Sequence, residues 1–255
     1  MSTVAFANEL ARRLPVSSPH VTPEEKQRVI ALALLVRLVE VLESMIILAS
    51  HGVRQELQTL FRVFLDAYFL LANVCSDPGF LAVYFRTDEP ERLKLLNAAA
   101  QQEHELFAAI NEYNTEAVRT SLGQRIREEA IQTFNSYAYA KNVGCEHVYD
   151  SMYRLSSPSV HSGPRCLANY IQTDEEGNVM KVLHRGDIET VHRALYDTEW
   201  FMLKALSGVC ELFAVSGLER ITEFETALEV AMVRHENPNF CLPTDIKPAG
   251  SVPLA

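Results

Sequence analysis

Two long apolar runs, interrupted by charges but not ended by them, constrain this chain more than any other feature. Val29 to Ser50 carries Arg37, Glu40 and Glu43, and Leu57 to Cys75 carries Arg62 and Asp66. A membrane-spanning helix needs about twenty apolar residues with few or no charges. The interruptions therefore predict two central helices of a soluble bundle. The first has a well-marked start: Thr22 offers an N-cap oxygen, Pro23 takes the first helical position and Glu25 completes a capping box. His51-Gly52 ends it. In the second, Leu57, Leu60, Phe61, Phe64, Leu65 and Tyr68 recur at helical spacing.

Further punctuation predicts the remaining elements. Asp77, before Pro78, is the expected N-cap of a segment through Phe85, which pauses at Asp88-Glu89-Pro90 and continues from Glu91 to about Ile110. Asn114 is expected to open a helix to about Lys141, packed on Val118, Leu122, Ile126, Ala130 and Phe134; Gly144 separates it from a shorter helix over Cys145 to Leu155. Ser156 to Pro164 holds two prolines, a glycine and four serines, which predicts a loop. A short helix over Arg165 to Ile171 and a hairpin around Glu176-Gly177-Asn178 follow. Asp187 is expected to cap a helix to about Val215, Gly217 to end it, and Leu218 to His235 to form the last one. Ten glycines in 255 residues suit long helices with Gly52, Gly144, Gly177 and Gly217 as breaks. The expected fold class is all-α: a single multi-helix bundle of six to eight helices over residues 1–236, with a small β-hairpin insertion near residues 170–185 and a proline-containing tail over 237–255.

The net charge of −10 works against sequence-independent binding to DNA, since lysine and arginine supply that attraction. It leaves room for RNA at a local basic pocket. Cys75, Cys145, Cys166, Cys210 and Cys241 are odd in number and form no Cys-x-x-Cys pair, the pattern of reduced thiols in a cytoplasmic protein. Met1 to Pro15 carries Glu9, Arg12 and Arg13 without a long apolar core and does not read as a signal peptide. Phosphate-loop, dinucleotide-turn, nucleophile-elbow and zinc-helix motifs are absent from the sequence, and no cofactor or metal is expected.

The main chemical constellation is Tyr149 to Arg165, where Arg154 and His161 are separated by six residues, with Tyr153, Ser157 and Arg165 beside them. An imidazole can move a proton at a ribose 2′-hydroxyl near neutral pH, and a guanidinium can stabilise extra negative charge on phosphorus. This arrangement resembles the Arg-x(4–6)-His motif of the HEPN superfamily, helical bundles that include metal-independent ribonucleases. The resemblance implies a toxin or defence ribonuclease with His161 as acid/base, Arg154 as phosphate stabiliser and two motifs meeting across a homodimer. Leu155 stands where that motif often carries a polar residue. The residues also allow a plainer reading, in which Arg154 neutralises Asp150 one turn back and His161 only hydrogen-bonds within its loop.

A second likeness covers more of the chain. Leu60 to Ala67, Asp77-Pro78 and Tyr153 to Ser162 resemble a helical family catalogued only as a domain of unknown function, with a Leu-x-Arg-x-x-x-Glu helix and a Tyr-x-x-Leu-Ser…His segment. The likeness spans roughly Gln55 to Ile171, with Asp66 in the glutamate position, and implies no established activity. Arg62 and Asp66 lie four apart on one helix face, so each needs a partner if buried. They read either as a structural ion pair or as support for the Tyr153–His161 loop, with Asp66 orienting His161. Glu189-x-x-His192, with Glu40, Glu43, Asp66 or Glu103 as further ligands, lacks the second Glu-x-x-His pair of a di-iron bundle and reads as solvated surface. Tyr137, Tyr139 and Trp200 read as packing residues, and the stripe of Trp200, Phe201, Leu203 and Leu206 as monomer core or a homodimer face. Two function classes follow: a HEPN-like ribonuclease, or a non-catalytic interaction protein with a structural or anion-binding Ser/His loop.

Overall fold

The computed structural model describes residues 2–14, 22–102, 104–161, 163–184 and 191–236. Asp187, Glu189, Glu103, Ser162, Cys241 and the proline-containing tail lie outside the described residues.

The first long helix forms where its capping box directs. After α1 (Thr3–Arg13), α2 runs Pro23–Ser50; the Thr22 hydroxyl accepts from the Glu25 N–H and the Glu25 carboxylate accepts from the Thr22 N–H. Gly52, at φ +69°, turns the chain into α3 (Glu56–Ser76). Asp77 then caps differently from expectation: its Oδ1 accepts from the Gly79 N–H at 2.8 Å, and α4 (Phe80–Tyr84) starts beyond that turn. A 3-10 turn leads into α5 (Asp88–Gln101), and another into α6 (Ala108–Asn111).

The expected helix from Asn114 to Lys141 is two helices. Thr115 caps α7 (Glu116–Glu128), and Ala130 takes a left-handed conformation at φ 49°. Asn135 then caps α8 (Ser136–Asn142) through its side-chain oxygen, which accepts from the Ala138 N–H. A cap and a left-handed residue inside the span outweigh the apolar periodicity that suggested continuity. After α9 (Glu146–Val148), Tyr149–Tyr153 forms a π-helical turn that runs directly into α10 (Arg154–Val160). The Ser/Pro segment is thus largely helix, with Pro158 inside it, and not the loop its composition suggests. Pro158 brings no N–H; in the turn before it the Ser156 hydroxyl donates to the Met152 and Tyr153 carbonyls, and that of Ser157 to Tyr153.

Next come α11 (Pro164–Ala168) and the hairpin, with β1 (Ile171–Thr173) antiparallel to β2 (Val179–Val182) around Gly177 at φ +86°. The final helices are α12 (Val191–Phe213) and α13 (Leu218–Glu236). Gly217 does not end α12 by a left-handed turn; Ala214, at φ 52°, does that. Gly217 instead allows close approach, since a Cβ there would stand 3.1 Å from Cys210 Sγ and 3.4 Å from the Phe6 ring.

The protein is therefore all-α with one small hairpin; the central helices form close to their expected bounds, while the stretch between α3 and α12 is divided into more and shorter helices than expected. The core is built by α2, α3 and α12, whose mutual contacts are the most extensive. Leu35, Leu38 and Met45 of α2, Phe64, Phe69 and Leu71 of α3, and Met202 and Leu206 of α12 are fully buried. Among the described residues α3 alone is long and apolar enough to cross a membrane, and half of its most apolar window is buried in this core. Phe201, Leu203 and Leu206 pack inside the chain, while Trp200 sits at the margin under the Lys204 ammonium, 4.4 Å from its ring centroid.

Candidate functional site

The residues singled out in the sequence gather along one side of α3 and α10, in two groups. The first is a half-buried polar cluster. Arg62 and Asp66 occupy one face of α3, as their spacing requires, and Tyr153 descends onto them from the π turn. The Arg62 guanidinium lies over the Tyr153 ring, 4.7 Å from its centroid, and its Nη1 is buried without a hydrogen-bond acceptor among the described residues. Asp66 Oδ1 accepts from Ser136 Oγ at 2.5 Å, and Oδ2 accepts from the Tyr153 hydroxyl at 3.4 Å. Ser136 and Tyr153 hydroxyls are 3.1 Å apart. Arg62 acts on Asp66 through charge and makes no direct hydrogen bond to it.

The proton count in this triangle is informative. Two hydroxyls carry two hydrogens, so an ionised Asp66 uses both and leaves the Ser136–Tyr153 edge without one. A protonated Asp66 supplies the third hydrogen and closes the ring. In keeping with this, the Asp66 carboxyl is held above the usual carboxylate range: burial is the largest cause, and the Ser136 and Tyr153 bonds and the Arg62 charge oppose it. Burial likewise raises Tyr153, against the opposing Ser136 and Arg62 contacts, so the phenol keeps its proton and serves as a donor.

The second group is the outer surface of α10. Arg154 Nε donates to Asp150 Oδ1 at 3.0 Å, with the two side chains 65% and 56% exposed, and the guanidinium also lies over the Tyr149 ring at 5.6 Å. Tyr149 stacks on Tyr153 at 4.6 Å, so two guanidiniums and two rings form one column from Arg154 down to Arg62. His161 caps the C-terminus of α10 and is exposed, with no side-chain hydrogen bond among the described residues. Arg154 and His161 face the same way after two turns, roughly 10 Å apart along the axis. Asp66 bonds Ser136 and Tyr153, not His161, so the expectation that it orients the imidazole is corrected: the carboxylate lies at the π turn while His161 lies at the far end of α10.

Beside α10 runs a groove of about 630 Å³ between α3, α10, α11 and α12. Phe61, Met152 and Leu155 contribute apolar wall; Ser159, Arg165 and Asn169 stand on one side and Arg193 on the other. Arg165 is exposed and has no hydrogen bond or ion pair among the described residues, whereas Arg193 is 3.9 Å from Asp197. Arg154, Ser157 and His161 do not line this groove. Beneath it the buried Gln55 holds three elements together: its amide donates to Ser159 Oγ and Cys166 Sγ and accepts from Asn169 Nδ2. Sequence reasoning missed Gln55, for which no local signal exists. It also missed Ser136, which it placed inside a continuous helix although Asn135 is a ready N-cap.

Over residues 28–178, more than half of the chain, the sequence matches the family of unknown function DUF5677. The chain belongs to that family. The match begins inside α2, upstream of Gln55, and takes in the rest of that helix, α3, the polar cluster, α10, α11 and the hairpin turn, so Arg62, Asp66 and Tyr153 fall within one family unit. No curated protein and no solved structure matches the chain.

Proposed function

We propose that this DUF5677 protein is a non-catalytic helical protein that binds a phosphate-bearing ligand, with RNA as its polymeric form, in the groove beside α10. The observation that carries this reading is Arg165, an exposed guanidinium that has no hydrogen bond or ion pair among the described residues and lines a groove with apolar walls. Guanidinium groups match phosphate oxygens bidentately, and apolar walls suit nucleobases. Arg193, 74% exposed and only loosely paired, supplies a second cation. A reducing, cytoplasmic setting belongs to the same proposal and rests on the odd cysteine count without a Cys-x-x-Cys pair. The test is fluorescence anisotropy of a labelled single-stranded RNA oligonucleotide. Wild type is expected to bind, and Arg165→Ala and Arg193→Ala each to weaken binding about tenfold. A wild type that binds no RNA removes the reading.

One observation favours the ribonuclease reading as a second. Arg154 and His161 are both exposed and share one side of α10, so two copies related by a two-fold axis would bring four such groups to one phosphate. Against it, Arg154 is already neutralised by Asp150. RNA incubated in chelator with wild type, His161→Ala and Arg154→Ala decides: loss of cleavage in both variants supports catalysis, and equal cleavage by all three ends this reading.

A further inference from the structure

On the face of the molecule formed by α1, α2 and α12 lies a second cavity, of about 680 Å³, built mainly from apolar side chains. Leu42, Ile46 and Ile47 come from α2, Leu195 and Tyr196 from α12, and Val4 from α1. Ile46 and Ile47 are 47% and 58% exposed, large for isoleucines in a helix that otherwise builds the core. Volume and lining are those of a small-molecule site, where a few polar groups fix the orientation of a largely apolar ligand.

The polar groups here include two carboxylates. Glu43 accepts from Asn8 Nδ2 at 3.2 Å, and Glu199 accepts from Thr3 Oγ1 at 2.6 Å. Both donors are neutral, and among the described residues neither carboxylate has a cation within ion-pair distance. Each carboxylate retains lone pairs beyond the one bond described. Half-buried negative charge at the wall of an apolar cavity is stabilised by a cation that brings its own apolar body. Tyr196, an aromatic residue of the kind whose ring face attracts an ammonium group, also lines the cavity. His192 also lines the cavity, with its ring 4.4 Å from that of His235.

We propose that this cavity binds a small amphiphilic amine, with the ammonium at Glu43 and Glu199 and the apolar body against α2 and α12. The site is separate from the α10 groove and shares no lining residue with it.

Calorimetric titration of the full chain at pH 8 with 4-phenylbutylamine, 4-phenylbutanol and 4-phenylbutyrate tests the assignment. The amine is expected to bind about tenfold tighter than the alcohol, and the carboxylate most weakly. Glu43→Gln and Glu199→Gln keep the oxygens that Asn8 and Thr3 bond, so circular dichroism should show an unchanged fold. Each is expected to weaken the amine about tenfold and to leave the alcohol unaffected. Equal binding of amine and alcohol, or unchanged amine affinity in both variants, overturns the proposal. So does the absence of amine uptake together with a dimer that Ile47→Glu dissociates, since the face would then be an interface between copies.

Discussion

Asp66 has both carboxylate oxygens hydrogen-bonded and a guanidinium nearby, and still its proton is held more tightly than usual. Desolvation in the shelter of α3, α8 and the π turn outweighs the bonds that favour the charge. A carboxyl whose folded pKa is raised contributes stability that is fully present below its unfolded pKa and is lost as pH rises through the folded value. An asparagine amide carries no titrating proton, accepts from Ser136 and donates to Tyr153, much as the protonated acid would. We therefore expect the stability of wild type relative to Asp66→Asn to fall as pH rises through and above the ordinary carboxylate range. Denaturant unfolding of both proteins at each pH checks it; a pH-independent difference would mean that Asp66 titrates alike in folded and unfolded chains. At the surface, Arg154 is a contrasting case: its ion pair is exposed and worth at most about 1 kcal/mol.

Helix ends set the shape of the candidate site. The π turn at Tyr149–Tyr153 brings Tyr153 inward over Arg62 and stacks Tyr149 behind it, while Pro158 is accommodated because serine hydroxyls engage the carbonyls before it. Extra-residue turns of this kind re-aim side chains and recur at functional positions. The end of α12 is less favourable. Ala214 holds φ at 52°, where its Cβ costs about 1–2 kcal/mol, and glycine would relieve that while losing part of the gain to unfolded-chain entropy. Ala214→Gly is expected to raise stability by up to about 1 kcal/mol in urea unfolding. A destabilised variant would show that the left-handed turn carries no strain.

At the scale of the whole molecule, α2, α3 and α12 form the platform on which both cavities are built. Phe64 is fully buried at the centre of α3, so Phe64→Ala is expected to cost about 3–5 kcal/mol, read as a lowered urea midpoint. The formal charge of −10 does not prevent local cationic positions such as Arg165. Long-range attraction of RNA is therefore expected to be weak, and binding at the α10 groove to depend on contact with Arg165 and Arg193 rather than on the field of the whole protein.

The sequence by itself determined the all-α class, the two central helices, the capping box at Thr22, the hairpin turn at Gly177 and the family likeness through Arg62, Asp66 and Tyr153. These are written in local patterns: periodic burial, caps and turn residues act within a few positions of one another. Tertiary structure alone decided that Ser136 completes the Asp66 cluster, that Gln55 ties α3 to α10 and α11, and that the Ser/Pro segment remains helical. It also decided that Arg154 and His161 stand outside the groove that Arg165 lines. Those outcomes depend on hydrogen bonds and packing between residues as many as 114 positions apart, and no local rule relates such partners.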